Sequence, residues 1–161
     1  MYKNAYYFFI IFISLCFIAC DKDNDGQDPN ALMLEVSSDT IYLDPAKANE
    51  EALTFSWNEG IDRGAENSIT YYFRMVRLGE DFNIDSIDPI EIASDESREV
   101  HFTHRELAEL LTEKWDVLPG DEQALQARVV AKINGPVFIY PEISYVDVII
   151  VNYQEDPNIK E

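Results

Sequence analysis

Apolar and polar positions past residue 30 fall into short runs separated by turn-forming or charged stretches: 32–36, 40–43, 53–57, 69–78, 90–93, 99–102, 125–133 and 143–151. Runs of this length, rich in β-branched and aromatic residues, predict strands, and their spacing predicts an antiparallel sandwich. In Leu53-Thr54-Phe55-Ser56-Trp57 the apolar residues occupy alternate positions, so one face meets a core and the other meets water. Tyr71, Phe73 and Met75 alternate with Tyr72, Arg74 and Val76. With apolar side chains in both phases, this strand is expected at the sandwich centre or covered on both faces.

One segment breaks the two-residue period. Thr103 followed by Glu106 forms a capping box, and Phe102 before the cap is placed to staple onto Leu107. Leu107, Leu110, Leu111 and Trp115 then share a helical stripe, which makes Trp115 a lid on the core rather than a sugar platform. Pro119-Gly120 is expected to stop this helix and turn the chain.

The amino terminus has a different character. Lys3 precedes an almost unbroken apolar run, which ends Leu15-Cys16-Phe17-Ile18-Ala19-Cys20. A basic start, an apolar stretch and a small residue directly before a cysteine are the parts of a lipoprotein export signal, with residues 1–19 removed and Cys20 acylated as the first mature residue. Residues 20–31 read as an acidic tether, since they hold too little apolar surface to build a core. Asp21, Asp23, Asp25 and Gly26 copy the opening of a calcium loop, but its twelfth position would be Leu32 instead of a bidentate Glu, so a spacer is the better account. Residues 32–153 form the domain and 154–161 a polar tail.

Charge narrows the partners. The chain of 161 residues carries a net charge of −19, with 31 acidic residues against 12 basic ones. Such a surface repels phosphate backbones and anionic headgroups, so neither nucleic acid nor direct docking on a membrane surface is expected as a partner. The mature length suits one domain. Cys16 leaves with the signal and Cys20 is acylated, so no disulfide supports the fold and stability rests on the apolar core.

Catalytic chemistry finds no support in the sequence. His101 and His104 with Glu106 invite a metal reading, yet His101 falls at a strand end and only His104 is helical, so both read as surface or helix-start histidines. No serine stands in a nucleophile elbow, and no glycine-rich loop is placed to cradle phosphate. No enzyme activity, cofactor or metal is expected. Aromatic rings remain as binding candidates, namely Tyr140, Tyr153 and Trp115, because flat rings stack on sugar faces. Tyr140, in the loop Gly135-Pro136-Val137-Phe138-Ile139-Tyr140-Pro141, is the residue singled out for glycan contact.

The stretch Leu53-Thr54-Phe55-Ser56-Trp57, then Tyr72, then the helix, Leu118-Pro119-Gly120 and Leu125-Gln126-Ala127-Arg128-Val129-Val130-Ala131 resembles a fibronectin type III-like domain. More narrowly, it resembles the amino-terminal domain of SusE-family outer-membrane lipoproteins. The resemblance implies an all-β, immunoglobulin/fibronectin type III-like antiparallel β-sandwich of about seven strands, with one short helix inserted before the sixth. Where fibronectin-type domains place a corner tyrosine this chain has Leu125, so that end is expected to close apolarly.

The resemblance further implies a surface-facing outer-membrane lipoprotein of a glycan-acquisition, starch-utilisation-like system, held to the membrane through its lipid. There it would serve as anchor, spacer or docking module beside a TonB-dependent transporter and a glycan-binding lipoprotein. The acidic stretch after Cys20 resembles a surface-export signal. Larger family members carry glycan-binding modules after this domain, and no counterpart is seen after Tyr153, so glycan binding is expected to be weak or nil. The alternative is an adhesin-like or structural interaction lipoprotein unrelated to carbohydrate.

Overall fold

The computed structural model describes residue 28 and residues 30–153. The export signal, Cys20, most of the tether and the tail 154–161 lie outside the described residues.

Among the described residues eight strands form at the runs the pattern marks: β1 (Leu34–Val36), β2 (Thr40–Tyr42), β3 (Glu51–Trp57), β4 (Ser68–Arg77), β5 (Ile90–Ala93), β6 (Glu99–Thr103), β7 (Glu122–Asn134) and β8 (Glu142–Val151), with helix α1 (His104–Trp115) between β6 and β7. Two sheets face each other, one ordered β1-β3-β6 and the other β2-β8-β7-β4-β5. β1 and β2 are one leading strand divided between the sheets. Counted so, the strands number seven and the helix precedes the sixth, as expected. One pairing departs from an antiparallel sandwich, because β2 lies parallel to β8 with Thr40 opposite Ile149 and Tyr42 opposite Val151. The chain keeps its direction as it crosses from one sheet to the other, so its second half meets β8 running the same way.

The core lies where the inward phases meet. Leu53, Phe55 and Trp57 from β3 oppose Tyr71, Phe73 and Met75 from β4, with Leu125, Ala127 and Val129 from β7 beside them. Trp57 stacks on Phe73 with ring centroids 6.2 Å apart and an interplanar angle of 10°. Leu107, Leu111 and Trp115 close the core from α1, and the Trp115 indole N–H donates to the Asp85 carbonyl at 3.2 Å. Leu125 is fully buried.

β4 is covered on both faces, for a reason outside its own sequence. Residues between β4 and β5 fold back over the outer face and bury Phe82. Arg128 sits 4.1 Å over the Phe82 ring, while Arg74 donates to the Phe82 carbonyl at 3.2 Å. Arg74 and Arg128 are directly opposite on neighbouring strands. One loop phenylalanine therefore gives partners to two like charges that would otherwise face each other.

The helix start is as the capping box requires. Thr103 Oγ1 accepts from the Glu106 N–H, and the Glu106 carboxylate accepts from the Thr103 N–H at 2.8 Å. Its end is earlier than Pro119-Gly120. Asp116 adopts a left-handed conformation at φ 54° and ends the helix after Trp115. The Val117 N–H then bonds back to the Leu111 carbonyl at 3.0 Å, and Val117 is buried, the arrangement of a Schellman stop. Aspartate tolerates this conformation better than most non-glycine residues.

Strand directions divide the loops between two poles. Leu34 pairs with Trp57, Ser56 with Glu99, Thr70 with Ala93 and Ser68 with Asn134. One pole therefore holds the arriving chain at Ala31 and the loops 58–67, 94–98 and 135–141. At the other lie Tyr42, the start of β3, α1 and Asn152. Asn152 is buried there, its N–H donating to the Asp121 carbonyl at 2.9 Å and its side chain to the Val117 carbonyl at 3.2 Å.

Candidate functional site

Tyr140 stands at the tip of the β7–β8 hairpin with its side chain 80% exposed. Phe138, which sequence reasoning left aside, is 76% exposed beside it. The two rings meet edge to face, 5.1 Å between centroids and 77° between planes. Perpendicular rings do not form the continuous flat platform that a sugar chain stacks on. The hairpin leaves the sheet through Asn134, whose amide donates to Thr70 Oγ1 at 3.1 Å. At Gly135 the Asn67 side chain packs into the space a Cβ would occupy, so any larger residue there displaces it.

The histidines are kept apart. His101 is half exposed on β6, its Nδ1 3.0 Å from Glu51 and its Nε2 3.3 Å from Glu99. The Thr54 hydroxyl bonds to Glu51, and this, with His101 beside it, holds the Glu51 carboxyl below the usual range. His104 opens α1, as expected of a helix-start histidine, but it is not on the surface. It is buried, and its Nδ1 accepts the Asp44 N–H at 3.2 Å. A ring whose Nδ1 accepts carries its hydrogen on Nε2 when neutral. Glu106 is occupied by the cap. Among the described residues no group of three His, Cys, Asp or Glu side chains is arranged to hold a metal ion.

The other two aromatic candidates are used structurally. Trp115 is core, and Tyr153 packs against the core's edge. Tyr153 also borders a cleft of about 420 Å³ at the far pole, lined by Asp44, Pro45, His104, Arg105 and Glu109. The backbone N–H groups of His104 and Arg105 point elsewhere, to the carbonyls of Glu50 and Ala48.

With the two-sheet topology and the capped helix in place, comparison with known families is decisive. The model of the SusE outer membrane protein family matches residues 21–130. The chain belongs to that family. The matched range takes in β1 to most of β7, while the tip with Phe138 and Tyr140 and all of β8 lie beyond it. No curated protein matches the chain. As a SusE-family member it is an outer membrane protein, and among the described residues no helix is long and apolar enough to cross a membrane.

Proposed function

We propose that this SusE-family protein is a non-catalytic, lipid-anchored spacer of a glycan-acquisition system, holding the chain after Tyr153 away from the membrane and beside its assembly partners. The observation that carries the reading is polarity. The chain arrives from Cys20 at one pole, where Leu32 is bonded to Glu142 at the start of β8, and leaves at the other, where Asn152 is buried at its end. The ten residues of β8 at ~3.3 Å each separate the two points by about 33 Å. Family membership and the cysteine after a small residue support the outer-membrane and lipid parts.

The partners on this reading are a TonB-dependent transporter and a glycan-binding lipoprotein. Affinity purification of the tagged full-length protein from detergent-solubilised outer membranes is expected to bring down both. If neither co-purifies and deleting the gene leaves growth on a panel of polysaccharides unchanged, the reading fails and the adhesin-like one replaces it.

A further inference from the structure

Residues 133–141 contain no charged side chain, in a chain of net charge −19. They form the β7–β8 tip, where Val137 is 69% exposed beside the Phe138 and Tyr140 rings. Nothing within the domain covers these three side chains, and they do not contribute to its core. Their position is specific: the tip shares a pole with Ala31, the point where the tether reaches the domain, since the Ala31 carbonyl accepts from Asn58 and the Leu32 N–H bonds Glu142, the first residue of β8.

The geometry points to a lipid surface as the occupant: the tip is a foot by which the domain rests on the bilayer that holds its anchor. This rests on the anchoring of Cys20 proposed above. Ten residues lie between Cys20 and Ala31, a span of at most about 40 Å fully extended, so the anchored end of the domain stays within reach of the headgroup layer. Tyr140, a ring with one polar edge, suits that layer, and Val137 and Phe138 add apolar area beside it. Anchoring makes the contact intramolecular, so a weak apolar patch suffices to orient the domain.

The chemistry of the surface is set by the neighbours. Asp62, Glu66, Asp95 and Glu96 on the adjoining loops outnumber Arg63 and Arg98, which disfavours anionic headgroups and favours an uncharged layer. The net charge of the whole chain argues against docking on anionic lipid, but the local patch carries no charge to repel. The perpendicular rings argue against a glycan as occupant.

The test uses mature residues 20–161, in which Cys20 is the single cysteine and Trp57 and Trp115 are both buried. Cys20 is coupled through its thiol to a maleimide lipid in phosphatidylcholine vesicles, so the geometry is imposed whether or not the cell acylates this cysteine. A lipidation failure and a failure of the foot are thus separate results. Phe138→Trp is expected to emit at shorter wavelength when anchored and to lose emission with brominated phosphatidylcholine, and Val137→Asp in the same chain should abolish both changes. Adding phosphatidylglycerol should weaken them. Tyr140→Trp provides an independent reporter. Emission that stays water-like and open to acrylamide in both reporters overturns the proposal, as does a response to soluble oligosaccharides in place of vesicles.

Discussion

The Glu142 carboxylate accepts the Leu32 N–H at 2.9 Å across 110 residues of sequence. Its other oxygen accepts the Ile61 N–H at 3.1 Å and lies 3.3 Å from the Arg63 guanidinium. One side chain, 14% exposed, thereby binds the start of the domain and the β3–β4 loop to the first residue of β8. Charge-assisted bonds to backbone donors in a partly enclosed site are among the stronger polar contacts.

Glu142→Ala is expected to cost on the order of 2–3 kcal/mol, since it leaves two backbone donors and Arg63 without their acceptor. Amide exchange should accelerate at Leu32 and Ile61 before it does in the β4–β7 pairing. Unchanged protection at Leu32 would show that the clasp does not hold the arriving chain.

The two tryptophans should respond differently to conservative change. Trp57→Ala is expected to cost about 3–5 kcal/mol from the cavity alone. The Trp57 indole N–H is buried without a partner, whereas that of Trp115 is bonded to the Asp85 carbonyl. Replacing Trp57 with Phe removes an unsatisfied donor and replacing Trp115 with Phe orphans an acceptor, so W57F should be the milder in urea unfolding. The reverse order would contradict the hydrogen-bond assignment.

Alkaline pH should weaken the fold through Tyr71. Burial raises its phenol above the ordinary value of 10.0, and its hydroxyl donates to the Glu59 carbonyl at 2.8 Å. A group whose folded pKa is raised stabilises fully below the unfolded value, and that contribution is lost as pH climbs from about 10 through the folded pKa. Tyr71→Phe should lower stability at neutral pH and flatten this alkaline loss. An equally steep loss in the variant would assign it to other groups.

Glycan binding by residues 21–161 is expected to be weak or nil in isothermal titration against an oligosaccharide panel. A ring contributing ~1 kcal/mol by stacking does not offset the ordering of a flexible chain. Micromolar affinity abolished by Tyr140→Ala would turn the spacer into a glycan-binding module.

Acylation of Cys20 should be visible as incorporation of a fatty-acid analogue in the source bacterium, absent from Cys20→Ala. Equal labelling of both proteins would remove the anchor.

The strands and the helix are legible because each announces itself locally. Alternation in Leu53 to Trp57 declares a half-buried strand, and Thr103 with Glu106 declares a helix start whatever surrounds them. The hidden features depend on distant partners. Glu142 is one acid among 31, and nothing near it in sequence tells that its oxygens reach Leu32 and Ile61. Phe82 lies in an acidic loop, and its burial comes from Arg74 and Arg128, which the register of β4 with β7 sets side by side on the face the loop folds over. His104 stands directly after the cap, a position that suits a solvent-facing residue, until the turn after Asp44 closes over it. The helix end is misread because Pro119-Gly120 is a conspicuous stop, while Asp116 ends the helix by a backbone conformation its side chain only permits. Tyr140 is found from its loop; Phe138 beside it is not, because a phenylalanine near a strand reads as core.

The parallel pairing of β2 with β8 gives the domain a particular response to force. If the lipid holds one end and a moving partner pulls beyond Tyr153, the two strands are drawn in opposite directions along their own axes. The bonds of Thr40 to Tyr42 with Ile149 to Val151 lie across that direction and share the tension, so they must rupture together instead of peeling one after another. Pulling therefore loads the short β2 strand in shear, and a domain tugged between membrane and partner resists at a pairing only three residues long.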